Sequence, residues 1–193
     1  MMKAIEFWFD FASPYSYLAA ERIEGLCAAS DLAVNWRPFL LGPIFKSLGW
    51  ETSPFLLQKE KGAYMWLDMA RQCRKYGLDW LHPSAFPRLA VLASRIALLL
   101  EEEGRAGPFC REIFRQNFAQ DREIGDPALI AGVLTSLGEP ATQWIERAGQ
   151  DEVKAKLRAQ TDLARQRGIF GAPTFFCEQE MFWGNDRLED ALG

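Results

Sequence analysis

Histidine is nearly missing from this 193-residue chain: only His82 is present. That scarcity excludes multi-histidine metal sites and leaves a single partner for any Ser-His or Cys-His couple. His82 precedes Pro83, and no G-x-S-x-G elbow occurs, so a hydrolase triad has little to build on. Cysteine is scarce too: Cys27, Cys73, Cys110 and Cys177 are far apart and form no C-x-x-C pair, which argues against a disulfide framework and a zinc ribbon. No metal ligands are therefore expected. No long hydrophobic run exists either. Leu89 to Leu100 is broken by Ser94 and Arg95 and is too short to span a bilayer. Met-Met-Lys leads straight into a strand-like segment without the parts of a signal peptide, so a cytoplasmic location is expected. Nor is there an excess of one charge. The net charge of −4, with both signs interspersed, gives no footprint for nucleic acid or an anionic membrane.

What is present is an apolar half (49% of residues) ordered in three blocks. Ala4 to Phe11 is β-branched and aromatic and reads as a strand buried on both faces. Ser13-Pro14 then gives a helix start, followed by the apolar positions Leu18, Ala19, Ile23 and Leu26. A second strand over Leu32 to Phe39 completes a βαβ unit, hence a parallel pair with a right-handed crossover. From 53 to 167 the pattern is helical: Leu56 to Tyr76, Pro87 to Glu103, helices opening at Gly107-Pro108 and at Asp126-Pro127 (closed by Gly138), and Asp151 to Arg167. The end returns to β, with Thr174 to Cys177 and Met181 to Trp183 as a hairpin about a Glu-Gln-Glu turn, then a short helix from Gly184-Asn185-Asp186. The expected architecture is α/β: a discontinuous sheet domain of residues 1–52 and 168–193, and a helical insert domain of residues 53–167.

Two motifs carry chemistry. Ser13-Pro14-Tyr15-Ser16 stands where the first strand hands over to its helix. Ligands of open α/β sheets bind beyond the carboxyl ends of the strands, and a helix start there gathers free N–H groups and positive potential. The Ser13 hydroxyl can cap its own helix or donate a hydrogen bond to a bound anion. Two serines occupy the places of a C-x-x-C, and a hydroxyl cannot form a disulfide, so direct thiol–disulfide exchange is excluded there. The second motif, Gly171-Ala172-Pro173-Thr174, opens the third strand with a residue lacking an N–H. It is either a plain loop proline or a specified cis turn that leaves the Ala172 backbone free to pair with an extended peptide.

In order along the chain, F-D-F-x-S-P-Y-S-Y-L, the Lys61-Gly62-x-Tyr64-Met65 segment, F-G-A-P-T and F-W-G-N-D-R-L resemble the 2-hydroxychromene-2-carboxylate isomerases. These stand with the kappa-class glutathione transferases in the DsbA-like branch of the thioredoxin fold. The resemblance implies a DsbA-like sheet with a large helical insert between the βαβ unit and a C-terminal ββα unit. It implies glutathione as cofactor, with Ser13 holding its sulfur as thiolate, Ala172 beside Pro173 pairing with its cysteinyl backbone, and Asn185 and Asp186 receiving its γ-glutamyl end. Where relatives place an asparagine after the second strand, this chain offers Trp50. It also implies a small aromatic substrate and a homodimer. The implied reaction isomerises 2-hydroxychromene-2-carboxylate to trans-o-hydroxybenzylidenepyruvate, in aromatic hydrocarbon catabolism, by reversible thiolate addition, bond rotation and elimination. Phe11, Tyr15, Trp50, Tyr64, Trp80 and Phe86 are candidate walls of the substrate pocket, with Arg37 and Arg88 as partners for the substrate carboxylate. A kappa-type transferase or peroxidase shares every glutathione-side residue. A non-catalytic peptide-binding module of the same fold is the reading outside enzymology.

Overall fold

A computed structural model describes residues 4–193. Strand β1 (Ala4–Phe9) runs into helix α1 (Pro14–Ala29) and returns as β2 (Ala33–Pro38), paired in parallel with β1 from Ala4↔Ala33 to Phe9↔Pro38. The chain ends with β3 (Thr174–Cys177) and β4 (Glu180–Trp183), and the sheet order is β2-β1-β3-β4. β3 lies antiparallel to β1, so the two ends of the chain meet at the sheet centre. Central β1 explains the nearly unbroken apolar run. Ile5, Phe7 and Phe9 face one buried cluster, in which the Phe7 and Phe175 rings stack at 5.5 Å. Trp8 faces the other, with Phe39, Ile44, Ile169 and Phe176. Period-two alternation thus supplies apolar side chains to both layers.

Between the two halves of the sheet run α2 (Leu41–Ser47), α3 (Pro54–Leu57), α4 (Lys59–Tyr76), α5 (Val91–Glu102), α6 (Ala106–Phe118), α7 (Pro127–Ser136), α8 (Ala141–Ala148) and α9 (Asp151–Gln166). Several differ from the sequence expectation. The helix expected over Leu56 to Tyr76 starts at Pro54, capped by Ser53, and breaks at Gln58. Pro87 to Ala90 are not helical; Leu89 is 76% exposed there and the segment forms part of a cavity rim, so α5 begins at Val91. α2 and α8 lacked a legible start because neither has a side-chain cap, although Trp144 and Ala148 bury one face of α8 at i, i+4 spacing. The expected C-terminal helix is two 3₁₀ turns, Asn185–Arg187 and Asp190–Leu192. Leu188, directly after the first turn, and Ala191, within the second, are both buried. One continuous buried cluster joins Phe7 and Phe175 of the sheet to Met69 of α4, Ile96 of α5, Phe114 of α6 and Trp144 of α8.

Candidate active site

The β1–α1 junction opens into a cavity of about 1230 Å³. Ser13, itself 6% exposed, sits at its floor as the cap of α1. The Ser13 Oγ accepts the Ser16 N–H at 3.2 Å and donates to the Ala172 carbonyl at 2.9 Å. Capping and donation are therefore compatible: the lone pair serves the helix while the proton points out of it. That second bond joins the two sequence motifs across 159 positions. The Ala172-Pro173 bond is cis. The Pro173 carbonyl accepts the Gly184 N–H at 3.0 Å, which brings Asn185 and Asp186 to the same cavity. Gly184 has φ +112°, and a Cβ there would lie 2.5 Å from Asp186 Oδ1, so the turn requires glycine.

The loop that presents Ser13 is held by four hydrogen bonds. Asp10 Oδ1 accepts the Ala12 N–H at 2.9 Å and Oδ2 accepts the Leu41 N–H at 2.7 Å. The Ser13 N–H donates to the Asp10 carbonyl at 2.9 Å. Asn117 of α6 donates to the Phe11 carbonyl at 3.0 Å. Burial raises the Asp10 pKa, and the Leu41 and Ala12 amides pull it back only in part.

Tyr15, Trp50, Tyr64 and Phe86 all line the cavity, joined by Phe55, Phe170 and Trp183. The Tyr15 hydroxyl donates to Asp68 Oδ2 at 2.8 Å; burial first, then that carboxylate, push its pKa up. Trp50 is 40% exposed and rests against Phe45. Arg88 also borders the cavity, but its guanidinium is already engaged. Nη1 donates to Asn117 Oδ1 at 3.0 Å and Nη2 to Asp121 Oδ1 at 2.5 Å, while Nε is buried without a hydrogen-bond partner among the described residues, 3.6 Å from Glu123. That leaves no free fork for a substrate carboxylate, and Arg88 instead braces the Ser13 loop through Asn117. Phe11, Trp80 and Arg37 do not line the cavity; Phe11 packs on Phe9 and Phe114, and Trp80 stacks on Phe118. His82 lies against Trp66, outside the cavity wall.

Sequence reasoning missed Asp10, Asp68, Gln72 and Lys75. Asp10 had a signal, being the one charge within the apolar run from Phe7 to Phe11. The others form a stripe on α4 (Lys61, Tyr64, Met65, Asp68, Gln72, Lys75 and Tyr76) at three- and four-residue spacing, and all seven line the cavity. The cysteines take no part. Burial pushes the Cys27 thiol up to about 11 and Cys73 to about 12, and holds Cys110 well above its ordinary value. Among the described residues, no group of three His, Cys, Asp or Glu is placed to hold a metal ion.

The chain matches the DSBA-like thioredoxin domain family over residues 4–192. It is 30% identical to a 2-hydroxychromene-2-carboxylate isomerase of Sphingobium xenophagum, covering 98% of this chain and 96% of that protein. It is 25% identical to glutathione S-transferase kappa 1 of Homo sapiens, over 97% of this chain and 88% of the relative. A solved 2-hydroxychromene-2-carboxylate isomerase superposes with a TM-score of 0.87 at 26% identity, covering 96% of this chain and 90% of that one.

Proposed function

We propose, from the premise that this chain belongs to the DSBA-like thioredoxin domain family and stands within it beside the 2-hydroxychromene-2-carboxylate isomerases and kappa-class glutathione transferases, that it is a glutathione-dependent isomerase of 2-hydroxychromene-2-carboxylate. One observation carries the reading: the Ser13 hydroxyl, its lone pair held by the helix, aims its proton at the cavity-lining Ala172 carbonyl.

The residues fit the cofactor. Bound glutathione would supply a nucleophilic sulfur able to add to, and leave, an activated double bond. Ser13 would turn its O–H from the neutral Ala172 carbonyl to that sulfur, because a charge-assisted acceptor is the stronger one. The α1 start adds positive potential at the same point, since Pro14 and Tyr15 open a 16-residue helix. The thiol, ordinarily ionising near 8.5, would thereby be held as thiolate closer to neutral pH. Ala172 and Pro173 border the strip where the cysteinyl backbone would lie, Trp50 would cover its far side, and Asn185 with Asp186 would take the γ-glutamyl end.

Tyr15, Phe55, Tyr64 and Phe86 would wall the aromatic substrate and exclude water from it. Lys61 and Lys75 line the cavity, and neither forms an ion pair among the described residues, so they are assigned the carboxylate role first expected of Arg88. The kappa-class relatives support conjugation by the same thiolate as a second reading; it is separated by whether glutathione is regenerated or consumed. A cytoplasmic location accords with four unpaired cysteines, three of them buried.

A crystal grown with glutathione tests the proposal. Sulfur within hydrogen-bond reach of Ser13 Oγ is expected, with isomerisation that ceases when glutathione is withheld. A sulfur turned away from Ser13, or isomerisation indifferent to the thiol, contradicts it.

A further inference from the structure

Behind the cavity wall, Arg22 of α1 reaches across to the C-terminal 3₁₀ turn. Its Nη1 donates to Asn185 Oδ1 at 2.9 Å, and its Nη2 pairs with Glu189. The guanidinium carbon sits over the Tyr76 ring, 3.9 Å from its centroid, and the side chain is 11% exposed. Asn185 is 5% exposed, and its side chain caps no helix.

Arginine has donors only, so whatever faces it must accept. The contact therefore fixes which way round the Asn185 amide sits. Oδ1 is spent on Arg22, and what Asn185 offers elsewhere is the two donors of Nδ2. Beside it, Asp186 offers the opposite: Arg187 takes Oδ2 at 3.2 Å, leaving Oδ1 as an acceptor. A donor next to an acceptor complements an α-carboxylate next to an α-ammonium, which is the free amino-acid end of a γ-glutamyl group.

We infer that Arg22 is a positioning residue that sets the polarity of Asn185 and thereby makes the site select a γ-glutamyl end. The inference rests on the glutathione reading but adds a residue that touches no ligand. Without Arg22, the Asn185 amide can flip and present Oδ1 to a carboxylate, converting attraction into repulsion.

The test is isothermal titration of the full chain with glutathione and with cysteinylglycine, which lacks the γ-glutamyl group. Arg22→Met, similar in length but without donors, is expected to weaken glutathione on the order of tenfold while leaving cysteinylglycine unchanged. Asn185→Asp covers the case in which Arg22→Met fails to fold. It keeps, and charges, the Arg22 contact while removing the donors, and is expected to lose at least as much for glutathione alone. Equal weakening of both ligands in either variant, or an unchanged glutathione affinity, overturns the inference. If the unsubstituted protein binds neither ligand, the glutathione reading itself fails, and this inference with it.

Discussion

Asp10 satisfies two backbone amides on two different loops, Ala12 before the serine and Leu41 at the start of α2. Asp10→Asn leaves one acceptor for two donors and strands a buried N–H. We expect a loss of about 1–3 kcal/mol in unfolding free energy, read by urea denaturation; stability equal to the parent protein contradicts this role. Single residues were only half legible in the sequence. Ser13 announced itself by standing before a proline at a strand end. Arg88 read as a candidate carboxylate partner because sequence does not reveal that Asp121, far along the chain, already holds it; that pairing lowers the Asp121 pKa to about 2, the Arg88 hydrogen bond being the largest cause. Likewise, nothing in the string Gly184-Asn185-Asp186 tells which way the Asn185 amide is turned, since Arg22 decides it from 163 positions away.

Elements position the cavity wall. α3 and α4 meet so closely that a Cβ on Gly62 would lie 2.2 Å from the Phe55 carbonyl oxygen. That is a backbone atom and cannot swing aside. Gly62→Ala is expected to push the two helices apart at a cost of about 1–3 kcal/mol. Phe55, Tyr64 and Met65 lie on this wall, so steady-state kinetics should show KM for the aromatic substrate rising while the ionisation of bound thiol stays put. An unaltered KM contradicts the assignment of this wall. On another side, Glu101 of α5 accepts the Trp36 N–H of edge strand β2 at 2.9 Å, and burial raises its pKa from the ordinary 4.5 to about 7. The native state then keeps a proton that the unfolded chain releases between those values, so stability is lost as pH rises from about 4.5 to about 7. Glu101→Gln removes this titration. Compared by urea denaturation at pH 5 and pH 8, the variant should gain on the parent at pH 8; a gap that does not change with pH contradicts it. The long elements were legible because cap and periodicity agree, as at Asp126-Pro127. α2 and α8 were not, because what holds them is tertiary burial of Ile44 and Trp144 rather than a local cap.

At the scale of the whole molecule, a sheet assembled from both chain ends places two weak motifs within one hydrogen bond of each other. The βαβ start and the β-hairpin finish could be read separately from their patterns. Their meeting could not be read from pattern alone, because the pairing of β1 with β3 is a contact between the first and last parts of the chain. The resemblance to a known family supplied it instead. The resemblance implies a homodimer, and Leu48, Leu56 and Leu57 are exposed on the folded chain. Sedimentation equilibrium should then give twice the 21.9 kDa chain mass, and a single 21.9 kDa species contradicts the pairing.

Ser13 is proposed to hold the sulfur of bound glutathione in its ionised form. The most direct measurement is the ultraviolet thiolate absorbance of glutathione bound to the protein, titrated with pH in the parent protein and in Ser13→Ala. The parent should ionise the thiol well below its ordinary value of about 8.5. In the variant the titration should return toward that value, with turnover falling on the order of 10²–10³-fold. Superimposable titrations in the two proteins contradict the account.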